Sequence, residues 1–286
     1  MRSLLVPLMG LGNDKATLEM AGRVAALFGS HIDALHVGRS TAAEIADLTL
    51  GEGIISQDVY DAVEAEAVER RTVAEEAFKA FCREKSIPVV PARRVQPETC
   101  ASWRHIVGNL MDEVVSTGRR HDIVVAAREA APFGHPVGVL GEIITRCGRP
   151  LLVVPQLLPS TSGRTVAIAW KNTLEGAHAL TAAMPLVARA ERIVVLAAPE
   201  EDSDAAEREA GLLAEQLRWL PGEVDVQFCV PGLGSTAEAL VDGAKTARAD
   251  LIVMGGYGHS RARELVLGGV TRDLLRGCAL PLLITH

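Results

Sequence analysis

The chain has 286 residues, room for two modest domains at roughly 100–200 residues each. Its 29 Lys and Arg against 36 Asp and Glu leave a net charge of −7, and only 3% of residues are aromatic. Such a chain lacks the basic face that a phosphate backbone needs and the stacking platforms that single strands need, so nucleic acid is not an expected partner. A hydrophobic content of 48% excludes general disorder.

Ser3–Leu8 (SLLVPL) reads as a strand, because Pro7 and the following LGND stand where a signal peptide would carry its apolar core and cleavage site. No run of about 18 apolar residues occurs, so no membrane partner is expected. Asp14–Phe28 has helical period, with Leu18, Ala21, Val24, Ala25 and Phe28 on one face and Asn13 or Asp14 as its cap. A second strand, His31–Val37, is followed by extra sequence over Gly38–Val59 and a long helix, Asp58–Lys85, whose charged side reads as a solvated face. Val89–Val95 is expected as the third strand, with Gln96–Trp103 as an insertion in which Trp103 packs the loop. Asp122–Ala126 and Leu151–Pro155 complete a first set of five strands.

After a Pro-, Ser- and Gly-bearing linker, Gln156–Arg164, a second set follows: Thr165–Trp170, Arg192–Ala197, Val224–Val230, Asp250–Met254 and Leu282–Thr285. A helix is expected over Leu174–Ala188, and Ser235 with Glu238 has the spacing of a capping box. Nearly continuous apolar strands separated by helices predict parallel sheets covered on both faces. The halves repeat: His121-Asp-Ile-Val-Val-Ala matches Ala249-Asp-Leu-Ile-Val-Met, and Cys147 and Pro150 match Cys278 and Pro281. The domains are therefore expected over 1–157 and 164–286. Five widely spaced cysteines fit reduced thiols in a cytoplasm, with Cys147 and Cys278 as equivalent buried thiols. His105, His121 and Cys100 lack metal-ligand spacing and are expected as an incidental surface cluster.

The segment that carries chemistry begins with the strand Asp250-Leu-Ile-Val-Met254. Gly255-x-x-Gly258 follows, and after nine residues Gly268-Gly269-Val270-Thr271 opens a helix. Glycines past the carboxyl end of a parallel strand, followed by a helix start, offer backbone N–H groups and a positive dipole end to a phosphate. P-loop, dinucleotide-fingerprint and nucleophile-elbow motifs are absent.

This pattern, between a D-L-I-V-M-G strand and a final Pro-led strand, resembles the ATP-binding branch of the universal stress protein family, in tandem form. The resemblance implies an α/β fold of two five-stranded parallel-sheet domains, each in order 3-2-1-4-5 with helices on both faces. The domains would pair through their last strands as an intramolecular pseudo-dimer, with a further homodimer left open. It implies a stress-response regulator whose second domain binds ATP or a related adenine nucleotide, with Mg²⁺ as an optional companion. The implied site comprises Lys171, Asn172, Thr173, Ala197, Met254, Gly255, Gly258, His259, Gly268, Gly269, Val270 and Thr271.

Two departures matter. Gly269 stands where the family has a phosphate-binding Ser or Thr, and Lys171 stands where it has an Asp on the nucleoside. Lys cannot accept a hydrogen bond but can pair with phosphate. In the first half Met9 takes the Lys171 place, Ala127 takes that of Gly255, and Val137 and Gly138 take those of Gly268 and Gly269. The first domain is therefore expected to be a degenerate partner. No catalytic base is evident; the alternatives are a scaffold without nucleotide, or a slow ATPase aided by His259, with Arg261 and Arg263 on the phosphates or simply solvated.

Overall fold

The computed structural model describes residues 1–41, 56–91, 98–128, 136–198, 203–256 and 268–286. The chain falls into two compact units, Met1–His135 and Pro136–His286.

In the first unit the elements run β1 (Ser3–Pro7), α1 (Asp14–Phe28), β2 (His31–Gly38), α2 (Gln57–Glu84), β3 (Cys100–Val107), α3 (Leu110–Gly118) and β4 (Ile123–Ala127). The strands are parallel in order β3-β2-β1-β4. All five residues of β1 and of β4 are buried, as expected of central strands covered on both faces. Helices α1 and α2 pack on each other and on the strands, while α3 lies against β1 and β2. The apolar seam of α2 (Ala74, Phe78, Phe81) faces the protein, and its charged side faces water.

The third strand lies elsewhere than the apolar run Val89–Val95 suggests. Val89 makes only an isolated bridge to Ala101, residues 92–97 lie outside the described residues, and the strand is Cys100–Val107. Trp103 accordingly sits on a strand, not in an insertion. It packs there against Phe78 and His36, with ring centroids 5.8 and 6.3 Å away. Asn13 does not cap α1 with its side chain; the buried Asp14 carboxylate instead accepts from the Met9 and Gly10 amides at 3.0 and 2.8 Å.

The second unit contains α4 (Pro136–Cys147), β5 (Leu151–Val154), β6 (Thr165–Ala169), α5 (Leu174–Val187), β7 (Arg192–Ala197), α6 (Ser203–Leu217), β8 (Glu223–Phe228), α7 (Thr236–Thr246), β9 (Leu251–Gly255), α8 (Gly269–Gly277) and β10 (Leu282–Thr285). Its strand order is β5-β10-β9-β6-β7-β8. Every pair from β10 to β8 is parallel, which gives the second repeat its 3-2-1-4-5 order. β5, the last strand of the first repeat, pairs antiparallel with β10, the last of the second, with Leu283 opposite Leu152.

The repeated Asp has a structural duty in both halves. Asp122 accepts from the Arg2 and Ser3 amides, and Asp250 from the Gly163 and Arg164 amides at 2.8 and 3.1 Å. Each carboxylate thus pins the start of its repeat's first strand beside the fourth. All five cysteines are free and buried. No helix among the described residues is long and apolar enough to cross a membrane.

Candidate functional site

At the carboxyl end of β6 and β9 the second unit encloses a cavity of about 190 Å³. It lies where ligands bind in open parallel sheets, because strand connections diverge there and leave a crevice. Its walls combine apolar groups (Ala169, Ala198, Leu240, Met254) with Trp170, Lys171, Thr173, Glu175 and Thr236, and with the helix start Gly268–Thr271.

Three helix N-termini reach this cavity, and each has four backbone N–H groups without an intrahelical acceptor. Two are capped by the protein's own side chains. Thr173 at the start of α5 accepts from the Gly176 amide at 3.2 Å. At α7, Ser235 and Glu238 form a full capping box, with bonds of 2.8 and 3.2 Å. The third, α8, begins at Gly268, and no side chain among the described residues caps it. A Cβ built on Gly268 or Gly269 would meet nothing within 4 Å, so either position has room for a side chain. Thr271 in that turn is buried.

Gly255 does other work than opening a nest. A Cβ there would come within 2.5 Å of the Glu175 carbonyl carbon and 2.6 Å of the Gly176 nitrogen. The missing side chain lets the first turn of α5 rest directly on β9. The neighbouring Gly256 amide is already bonded to the Thr285 carbonyl at 2.7 Å.

Of the residues expected at the site, Lys171, Thr173, Met254, Gly255, Gly268, Gly269, Val270 and Thr271 line the cavity. Asn172 does not; its amide donates to Glu209 at 2.8 Å. Nor does Ala197, which is buried within β7, while the next residue, Ala198, lines the wall. Gly258 and His259, with Arg261 and Arg263, lie outside the described residues. Sequence reasoning missed Trp170 and Glu175. Glu175 carried a usable signal, since an acid in a helix's first turn beside a strand end faces whatever the strand end faces. Its carboxylate is held below its ordinary range by its own backbone N–H first, and then by the Thr173 hydroxyl, with His178 and His286 nearby, against the opposing effect of partial burial. The Trp170 indole N–H is buried without an acceptor among the described residues.

The matching place in the first unit is built differently. Met9 and Ala127 are buried there with Leu11 and Leu110 packed on them. Gly10 has φ +71° and lies so close to α2 that a Cβ would strike the Arg70 carbonyl. The Met9 and Gly10 amides are taken by Asp14, an internal carboxylate.

A second polar cluster lies near the amino ends of β2 and β3. Asp33 accepts from Arg104 Nε at 3.0 Å, and its other oxygen faces His121 Nε2 at 3.1 Å. His121 Nδ1 faces the Thr117 carbonyl at 2.9 Å. Ser102 links Asp33 to His31 Nε2, and His31 Nδ1 faces the Cys100 thiol at 3.2 Å. His121 and Cys100 are thus buried members of a structural network, not an incidental surface cluster. Among the described residues no group of three His, Cys, Asp or Glu is arranged to hold a metal ion.

The sequence pattern of the Universal stress protein family matches residues 158–286. A universal stress protein of Synechocystis sp. is 26% identical over 183 residues, which is 63% of each protein, so the match spans less than two-thirds of that relative's length. Among solved structures, a universal stress protein from Archaeoglobus fulgidus superposes with TM-score 0.68 at 16% identity, over 99% of this chain and 97% of that one. A putative universal stress protein from Pseudomonas aeruginosa gives TM-score 0.57 at 17% identity, over 100% and 93%. At these identities the structural likenesses establish the fold. Residues 158–286 thus carry the universal stress protein pattern, and the chain as a whole is similar to UspA-like tandem proteins in fold.

Proposed function

We propose that the second unit binds one adenine nucleotide, ATP or a shorter relative, and that binding regulates a stress response. The observation that carries this reading is the unequal capping of the three helices at the cavity. α5 and α7 satisfy their first amides internally, whereas at α8 no side chain among the described residues takes up the amides of Gly269, Val270 and Thr271, beside Lys171. An anion there completes the helix and gains from its dipole, a favourable term of about 0.3–2 kcal/mol before any charge pairing with Lys171. The apolar wall of Met254, Leu240 and Ala198 suits a flat base. Any Mg²⁺ arrives on the phosphates. A cytoplasmic setting agrees with five free, buried cysteines.

The test is the mass spectrum of small molecules released when the purified protein is heated. The wild type should release an adenine nucleotide, or bind added ATP in a thermal-shift assay. Gly268→Glu should do neither while keeping its fold. Gly268 has φ −51° and room for a side chain, so the new carboxylate blocks the helix start without straining it. Undiminished nucleotide in Gly268→Glu would overturn the phosphate assignment. A wild type without nucleotide and without a thermal shift would leave the scaffold reading.

A further inference from the structure

We infer that Glu175 accepts hydrogen bonds from the vicinal hydroxyls of the ligand, so that the cavity selects a phosphorylated sugar over a bare polyphosphate. The inference rests on the nucleotide reading above and deepens it.

Glu175 is the only carboxylate among the described residues that line the cavity, and Lys171 is the only cation. The Thr173 hydroxyl already accepts from the Gly176 amide. The remaining side-chain polar groups there are the Thr236 and Thr271 hydroxyls and the Trp170 indole, which is buried without an acceptor among the described residues. An ionised carboxylate has about four lone-pair sites. Its own backbone N–H and the Thr173 hydroxyl favour the charged form of Glu175, and two such donors leave acceptor capacity for the cavity.

The partner for that capacity must be a donor. A cationic donor is disfavoured, because the positive end of the α8 dipole and the Lys171 side chain already line the same cavity. A neutral donor remains, and two hydroxyls on adjacent carbons match the two carboxylate oxygens in spacing. An anion at α8 and a diol at Glu175 together describe a sugar phosphate. Glu175 would then supply, from the first turn of α5, the acceptor that Lys171 cannot provide at the strand end.

Binding of three probes by calorimetry tests this: AMP, its 2′,3′-dideoxy analogue and inorganic tripolyphosphate, each with EDTA and again with Mg²⁺. Wild type should prefer AMP to the dideoxy analogue by about 10-fold or more, as for hydrogen bonds to a charged group. In Glu175→Ala that preference should fall to about 1, and in Glu175→Gln, which keeps the shape and one acceptor oxygen, it should be intermediate. Tripolyphosphate should bind Glu175→Ala as well as wild type or better, since a like charge is gone. Equal binding of AMP and the dideoxy analogue by wild type overturns the inference, as does a full preference surviving in Glu175→Ala. A preference seen only with Mg²⁺ assigns the carboxylate to the metal and also overturns it. In each of these cases the phosphate reading stands, provided Gly268→Glu loses all three probes. A wild type that binds none of them overturns both.

Discussion

At the scale of single residues, the glycines of the motif divide into two kinds that the one-letter code does not distinguish. Gly255 is a packing glycine, because the backbone of Glu175 and Gly176 occupies the space of its Cβ. Gly269 is an open glycine with nothing within 4 Å of that position. Gly255→Ala should therefore push α5 off β9 and lower unfolding stability by about 1–3 kcal/mol, as overpacking does. Gly269→Ala should leave stability unchanged or raise it by up to about 1 kcal/mol through helix propensity. Urea denaturation of the two variants checks both; equal losses would mean that the close contact at Gly255 is not real. The spacing Gly255-x-x-Gly258 was legible, but not which neighbour each glycine serves, because that neighbour lies eighty residues earlier in the chain. Glu175 was hidden for a related reason: in sequence it looks like an ordinary acid complementing a helix dipole.

At the scale of elements, the buried central strands were plain in the sequence, since covering both faces demands unbroken apolar runs. The edge strand β3 was not. Its outer half is exposed and carries Arg104 and His105, so it lacks the continuous apolar signature, while Val89–Val95 imitated one. What ties β3 to β2 and to the turn before β4 is polar: Asp33 with Arg104, Ser102 and His121. Burial works to raise the Asp33 carboxyl, but the bonds from His121 and Arg104 outweigh it and hold the group below its ordinary 3.8. A carboxylate lowered on folding stabilises the protein above its unfolded value, and that stability is lost as pH falls through the lower folded value. His36 in the same unit is also lowered from 6.5, chiefly by burial, so its neutral form favours folding and acid begins to oppose folding below 6.5. Acid should therefore weaken the first unit in two stages, one beginning near 6.5 and one below 3.8. Asp33→Asn should shrink the lower stage, to which Glu19 also contributes, and cost about 2–3 kcal/mol at neutral pH, less than a wholly buried pair because Arg104 is 38% exposed. Chemical denaturation across pH reads both; an unchanged profile below pH 4 in Asp33→Asn would assign the acid sensitivity elsewhere.

At the scale of the molecule, the duplication is unequal where it concerns chemistry. The strand orders match, yet the crevice of the second unit is open and its counterpart in the first is filled by Met9, Leu11 and Leu110 and closed over at Gly10. Calorimetric titration with nucleotide should therefore give about one site per chain. Two equal sites would require the first unit to expel its own side chains, and would contradict this packing. The doubling itself was readable from the matched Asp, Cys and Pro positions, because strand starts and last-strand entries are fixed by local bonds that any copy must repeat.

The antiparallel contact of β5 with β10 has a consequence for the chain's history. Severed at the linker, the C-terminal piece would keep β10 but present a bare rim of amides and carbonyls on a wholly buried strand, and a twin of itself would be the nearest thing able to cover it. Fusing two copies makes that meeting intramolecular, so the seam between terminal strands no longer comes apart on dilution.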